Sequence, residues 1–220
     1  MVPELAKERN PTFAPGEVAQ IVIAWVVLSL ALSVTDVEGL FVGTGSVEYI
    51  GAAFVATATG FVLHEMGHKF VAMRHGYVAH FRVWIWGIAL ALITAIVSQG
   101  QFLFGAPGAV YIAPATGMLS YAYASQRGEK KDNAVISAAG PGTNLAFALF
   151  FLFLIFILPA EGFLSTVATY GFVLNVGLGS FNMLPIPPLD GYKIFRGSVP
   201  IGLLIALPLW AMFVLLFLLP

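Results

Sequence analysis

The sequence predicts an all-α polytopic membrane protein with about five to six transmembrane helices and a small re-entrant or β-strand element between the second and third spans. Hydrophobic residues make up 59% of the 220-residue chain and charged residues only 10%, whereas soluble domains carry about 25% charged residues. Several uncharged stretches reach the roughly 20 residues needed to cross the hydrocarbon core of a bilayer. The basic residues cluster between these stretches or at their ends, as is typical of the cytoplasmic side of a membrane protein.

Five apolar runs are candidate spans, and polar or Pro/Gly-rich breaks separate them. These runs are Val18 to Val34, Val47 to Met73, Ala134 to Leu158, Phe163 to Leu184 and Val199 to Leu219. No small-residue cleavage pattern follows the first run, so we expect a retained span rather than a removed signal peptide. Because no internal repeat or low-complexity tract is evident, residues 1–220 are interpreted as one membrane domain.

A sixth apolar run, Val83 to Phe104, is ambiguous, because its hydropathy alone would also fit a crossing. The positive-inside rule favours the arrangement that keeps lysine and arginine on the cytoplasmic side. If this run enters and leaves on one side, all the basic residues face the cytoplasm, whereas a full crossing places half of them outside. We therefore predict a re-entrant or interfacial segment and a cytoplasmic N-terminus. The basic residues are Lys7, Arg9, Lys69, Arg74, Arg82, Arg127, Lys130, Lys131, Lys193 and Arg196.

Two stretches in this region resemble β-strands, because both are rich in β-branched and aromatic residues. They are Ala79 to Gly87 and Gly108 to Ile112. Strand backbone cannot face lipid, so such a β element must pack against helices or line a water-filled cavity. The phenylalanine-rich run from Phe147 to Phe156 is instead expected to face lipid.

Composition also limits the chemistry that the chain can perform. Cysteine is absent, which excludes disulfides and thiolate metal sites and leaves histidine and carboxylate as the strong metal ligands. The formal net charge of -1 gives no basic footprint for nucleic acid. We expect the lipid bilayer, and no nucleic acid, among the partners of the chain.

An H-E-x-x-H motif, with His64, Glu65 and His68, lies near the end of the second span, inside an otherwise apolar helix. Residues four apart on a helix project from one face, so both histidines can direct an imidazole nitrogen at one metal ion. Glu65 can reach a metal-bound water as general base without being a ligand. Ionisable residues inside a membrane span are costly, which favours a functional interpretation over a polar helix contact.

A catalytic zinc site usually has three protein ligands, and two histidines with one carboxylate are a known set. Asp36 and Asp132 lie in charged, polar surroundings, whereas Asp190 follows a proline-rich stretch that cannot continue as a regular helix. His75 is about 10.5 Å beyond His68 along a helix, too far to share the ion. We therefore predict one Zn²⁺ per chain, held by His64, His68 and Asp190.

Three separated motifs together resemble the site-2 protease family of intramembrane zinc metalloproteases. They are His64 to His68, Ala139 to Asn144 as a G-P-x-x-N segment, and Asn182 to Gly191 as an N-x-x-P-x-P-x-x-D-G element. The resemblance covers most of the chain and places a catalytic core at about residues 47–196. It implies hydrolysis of peptide bonds in or near transmembrane segments of membrane proteins, as in regulated intramembrane proteolysis, with Glu65 as base and acid. It also implies that Asn182, and with it Asn144, lies close to the substrate or the oxyanion.

Two departures from the family pattern and one open alternative accompany this resemblance. Tyr192 follows Asp190 and Gly191 where a second glycine is frequent, and no inserted PDZ-like domain is visible. Asn144 also has a purely structural alternative, a single hydrogen bond between closely packed helices. The sequence leaves the oligomeric state and the substrate open.

Two rival functions fit parts of the same pattern. A membrane metal transporter or channel would use the histidines and carboxylates as a transient ion site, but no second intramembrane polar cluster leads to the opposite side. An inactive protease-like scaffold would not require an intact Glu65 with a full ligand set. Both rivals are therefore less favoured than the peptidase.

Overall fold

The computed structural model describes residues 12–33, 46–97, 107–114 and 126–218. Helix α1 is Glu17–Ser33, α2 is Ser46–Thr57, and a π-helical segment, Ala58–Val62, joins α2 to α3, Leu63–Arg74. Strand β1, Tyr77–Val83, helix α4, Ile85–Val97, and strand β2, Gly108–Pro114, follow. The last helices are α5, Gln126–Ile157, α6, Phe163–Asn182, α7, Asp190–Gly197, and α8, Val199–Leu218.

The mostly helical membrane fold is confirmed. Four helical stretches in the described ranges are long and apolar enough to cross a membrane: Val47–Arg74, Lys130–Ile157, Phe163–Asn182 and Val199–Leu216. Helices α1 and α4 are shorter apolar helices of 17 and 13 residues. At 1.5 Å per residue, α4 is about 20 Å long and falls short of the hydrocarbon core.

The β element predicted between the second and third spans is confirmed as a two-stranded antiparallel sheet, which lies between the long stretches Val47–Arg74 and Lys130–Ile157. Tyr77 pairs with Pro114 at one end of the sheet, and Val83 pairs with Gly108 at the other. Because Val83 and Gly108 are neighbours, the chain leaves this end of the sheet and comes back to it, so its two ends lie on the same side of the membrane. This pairing agrees with the re-entrant prediction for Val83 to Phe104, although 98–104 lie outside the described residues.

The predicted first strand is wrong at its end. We expected strand character from Ala79 to Gly87, but β1 ends at Val83 and helix α4 begins at Ile85. The large aromatic and branched residues after Val83 belong to a helix whose apolar surface is mostly exposed, with Trp86 73% and Ile96 64% accessible. Residues of high β-propensity form a helix here because side-chain packing outweighs their small energetic preference for strands.

Helices α5, α6 and α8 enclose the largest hydrophobic core among the residues that the structure describes. The prediction that the phenylalanine-rich run faces lipid is wrong for Phe151, which is only 2% exposed. Its ring lies directly against Gly171, where any side chain would collide with it. Phe150, Phe153 and Phe156 are exposed as expected, because they lie on the opposite face of the same helix.

Candidate metal centre

His64 and His68 lie one turn apart on α3, and their rings point at the same spot. Their Nε2 atoms are 3.1 Å apart, and both side chains are buried, with exposed fractions of 5% and 7%. The i, i+4 spacing on one helical face produces this geometry. The π-helical segment, Ala58–Val62, immediately precedes the pair, and such segments often occur at functional sites.

Asp190 completes a group of three, although 122 residues separate it from His68. Its Oδ2 atom lies 3.0 Å from His68 Nε2 and 3.5 Å from His64 Nε2. In the described part of the chain, these three residues form the group whose ligand atoms, all within 4.8 Å of one another, could hold a metal ion. The structure therefore brings together all three ligands that the sequence predicted.

Close backbone packing explains why a glycine, Gly191, follows Asp190. Asp190 is the first residue of α7, directly after the proline-broken stretch 183–189. A Cβ at Gly191 would collide with the backbone of Met183 and Leu184, so only glycine lets the start of α7 pack so closely on the end of α6. This close packing places the Asp190 carboxylate beside α3.

Two buried hydrogen bonds orient the imidazoles. His64 Nδ1 donates to Asn144 Oδ1 at 2.6 Å, and His68 Nδ1 donates to the backbone carbonyl of Ile136 at 2.8 Å. With Nδ1 protonated, each Nε2 carries a lone pair that faces the other ring and the carboxylate. Three electron-rich atoms converge in a buried space, an arrangement that a cation would stabilise. Two imidazoles and a carboxylate suit Zn²⁺, and the hydrogen bonds at Nδ1 are the outer partners that such ligands usually have.

Asn144 lies behind His64 and is fully buried. Its amide nitrogen donates to the carbonyl of Gly60 at 2.8 Å and to Asn175 Oδ1 at 3.1 Å. Asn175 in turn donates to Thr59 Oγ1 at 3.0 Å. The sequence suggested a place near the substrate for Asn144, but its amide is committed to protein partners, so its position is that of a support for His64.

Sequence reasoning missed Asn175 and Thr59, since neither belongs to a motif. A buried asparagine in an apolar helix was the only available signal, because such a residue needs hydrogen-bond partners inside the protein.

Asn182 and Glu65 have different surroundings. Asn182 donates back to the carbonyl of Leu178 in its own helix at 3.0 Å, and the described contacts do not join it to the three ligands. Glu65 Oε2 accepts a hydrogen bond from the backbone N–H of Val110 in β2 at 2.9 Å. Glu65 therefore lies between the ligand helix and the sheet, outside the ligand group.

The carboxylate of Asp190 has one further partner. Lys193 Nζ lies 3.4 Å from its other oxygen, Oδ1. A metal ion binds the ionised form of such a carboxylate.

Helices α3 and α5 can hold this geometry only because they approach closely. A Cβ at Gly67 would lie 2.9 Å from Thr143 Oγ1 and 3.0 Å from the carbonyl of Ala139. A Cβ at Gly140 would overlap the imidazole nitrogens of His64 and His68 themselves. Gly140, the glycine of the G-P-x-x-N segment, therefore packs directly against both imidazole rings.

We expect Gly140→Ala to weaken zinc binding by about 10- to 100-fold, the usual effect of disturbing the shell around metal ligands. The added methyl group must displace at least one imidazole. Gly142→Ala is the matched control, because a Cβ there meets nothing within 4 Å. Zinc dissociation constants of both variants, measured by chelator competition, test this expectation. Equal constants for the two variants would contradict it.

Comparisons with known proteins agree with this site. Peptidase family M50 matches residues 52–171 of the chain. Three curated relatives have names that begin “Putative zinc metalloprotease”. The relative from Methanocaldococcus jannaschii is 36% identical over 157 residues, 71% of this chain and 75% of its own length. The relative from Bacillus subtilis is 28% identical over 160 residues, 67% of this chain and 69% of its own length. The relative from Mycolicibacterium smegmatis is 33% identical over 161 residues, 66% of this chain and 57% of its own length.

No solved structure matches the chain significantly. The family match contains the H-E-x-x-H motif and Asn144, whereas Asp190 lies beyond it. The family match therefore does not test Asp190, whose position beside both histidines is given by the structure. With more than half of its residues matched by the family and a relative 36% identical over most of both chains, the chain belongs to peptidase family M50, the site-2 protease family.

Proposed function

We propose that this protein is an intramembrane zinc metallopeptidase that hydrolyses peptide bonds in or near transmembrane segments of membrane proteins. The observation that carries the proposal is the convergence of His64, His68 and Asp190 at hydrogen-bonding distances inside a membrane protein. Two of these ligands lie on Val47–Arg74, a helix long and apolar enough to span the bilayer. Family membership supports the assignment to peptidases.

His64, His68 and Asp190 would hold the zinc ion. When bound, zinc polarises the scissile carbonyl and lowers the pKa of its water to about 7. Glu65 would take a proton from the attacking water as the new C–O bond forms, and would pass it to the leaving amine as the C–N bond breaks. Glu65 suits this role because it is adjacent to His64 and is not one of the three residues that would hold the ion.

The substrate would bind as an extended strand on the outer edge of β2. A helical segment hides its carbonyl groups, so it must unwind before hydrolysis, and pairing with a strand edge stabilises the unwound form. The N–H of Val110 points away from β1 and towards Glu65, and Ile112 points the same way because strand residues alternate. A peptide on this edge would lie directly beside the proposed base.

We also propose how the protein is oriented in the membrane and which process it serves. We infer a multi-pass protein with its N-terminus and the active-site end of α3 in the cytoplasm, because basic residues such as Arg74, Lys130 and Lys193 lie at that end of the helices. The substrate is a membrane-spanning protein, and the physiological process is regulated intramembrane proteolysis.

Cleavage of a single-span model substrate by the purified protein tests the proposal. We expect one cut in or near the span, loss of cleavage after zinc is removed by a chelator, and recovery when one equivalent of zinc is returned. Mass spectrometry of the fragments locates the cut. Cleavage that survives metal removal would contradict the zinc mechanism. Zinc flux through proteoliposomes without any cleavage would instead indicate the transporter.

A further inference from the structure

A second buried cluster lies next to the ligand helix and is not used by the proposed chemistry. Lys69, the residue after His68, is 0% exposed, and Glu17 at the start of α1 is 2% exposed. Lys69 Nζ lies 2.7 Å from Glu17 Oε1. A buried ion pair has a large desolvation penalty and is weak evidence for stability, so this pair calls for another explanation.

The partners of the pair belong to the sheet. Lys69 Nζ also donates to the carbonyl of Ala79 in β1. Glu17 Oε1 accepts the backbone N–H of Phe81 at 2.8 Å. Gln20, one turn further along α1, accepts the N–H of Val83 at 3.0 Å. Three outward-facing backbone groups of β1, the carbonyl of Ala79 and the N–H groups of Phe81 and Val83, are therefore occupied by side chains of α1 and α3.

The same helix also holds the other strand. Lys69 and Glu65 are four residues apart and lie on one face of α3. Lys69 binds β1 at Ala79, and Glu65 binds β2 at Val110. Phe81, which Glu17 holds, is the cross-strand partner of Val110. The sheet is thus attached to the ligand helix at two points one helical turn apart.

We propose that Glu17 and Lys69 are positioning residues for substrate, an inference that rests on the function proposed above. The pair holds the sheet so that Val110 lies beside Glu65 and the metal ligands. It also covers the outer edge of β1, so that an extended substrate would join the sheet at β2, where Glu65 contacts the outward N–H of Val110. The pair does not contact zinc and acts through the sheet.

Replacing both charges with apolar side chains separates this role from folding, because such replacements of buried pairs are often neutral or stabilising. We expect Glu17→Leu/Lys69→Met to keep one zinc per chain and an unchanged Co²⁺ absorption spectrum. The kcat/KM for a transmembrane substrate should fall about 10- to 100-fold, as expected for a misplaced substrate. Hydrolysis of a peptide too short to form a strand should change far less. Glu17→Gln/Lys69→Met keeps an oxygen acceptor for Phe81 and should recover part of the loss.

Ser29→Ala/Thr57→Val is the matched control. It removes another buried polar contact of α1, the 2.6 Å hydrogen bond between these hydroxyls, which does not involve the sheet. This control should cleave the transmembrane substrate like the parent. If Glu17→Leu/Lys69→Met cleaves the same bond with the same kcat/KM as the parent, the pair has no positioning role.

A measurement on otherwise unaltered protein tests the covered edge even if these variants fold poorly. The chain has no cysteine, so a single cysteine can be placed at Ala109 in β2 or at its partner Arg82 in β1. A disulfide forms only when the Cα atoms lie within about 7 Å, and strands are about 4.8 Å apart. A cysteine-bearing substrate should be trapped at position 109 and not at 82. Equal trapping at both would overturn the proposal, whereas failure of the parent to cleave any transmembrane substrate would refute the proposed function itself.

Discussion

Glu65→Gln is expected to abolish measurable cleavage of a transmembrane substrate while zinc remains bound at one ion per chain. Glutamine cannot take a proton from water, and loss of a general base lowers kcat by about 10²- to 10⁴-fold. The amide oxygen can still accept the N–H of Val110, which Glu65 Oε2 accepts at 2.9 Å in the parent, so the sheet should keep its place. The measurements are kcat in detergent or liposomes and zinc content by elemental analysis.

Glu48→Gln is the control for this substitution, because Glu48 lies in the first turn of α2 and is exposed. It makes the same chemical change on the same long helical stretch and should leave kcat unchanged. Full activity in Glu65→Gln would remove Glu65 from the mechanism. Loss of zinc in Glu65→Gln would indicate that Glu65 is a ligand.

The features predicted best from sequence were those with a local physical cause. The i, i+4 spacing of His64 and His68 determines a shared helical face, and the structure has their Nε2 atoms 3.1 Å apart. Charge bias suggested the re-entrant segment, and the pairing of Val83 with Gly108 agrees with it. Asp190 was identified because prolines interrupt the helix before it, and it lies 3.0 Å from His68.

Long-range partners were not predictable in the same way. Nothing near Lys69 in the sequence indicates that its ammonium group is buried against Glu17, 52 residues earlier. On the positive-inside argument Lys69 counted as one more cytoplasmic charge, yet it is 0% exposed. Charge counting cannot distinguish a lysine that contacts water or lipid headgroups from one that holds two helices and a strand together.

Element ends and side-chain faces were also beyond local reasoning. The end of β1 at Val83 and the burial of Phe151 both depend on neighbours distant in sequence. Asn144 shows the same limit at the site. Its motif indicated that Asn144 belongs to the functional site. Only the 2.6 Å hydrogen bond to His64 decides between supporting a ligand and contacting the substrate.

Asp190→Asn should weaken zinc binding by more than the roughly 10- to 100-fold effect of losing an outer partner, because it removes a charged ligand. Asparagine has nearly the same shape, so the turn at Gly191 and the start of α7 should remain intact. A neutral oxygen can still coordinate weakly, and cleavage should return in part at high zinc concentration. The measurements are the zinc dissociation constant by chelator competition and kcat as a function of zinc concentration.

Asp132→Asn is the control for Asp190→Asn, since Asp132 bonds His75 at 3.3 Å near the surface, away from the ligands. Its zinc affinity should equal that of the parent. Recovery of Asp190→Asn at high zinc is the decisive result, because a variant with a damaged fold would not recover when metal is added. If Asp190→Asn binds zinc as tightly as the parent, the carboxylate is not a ligand. The two imidazoles would then lack the third protein ligand that a hydrolytic zinc site uses.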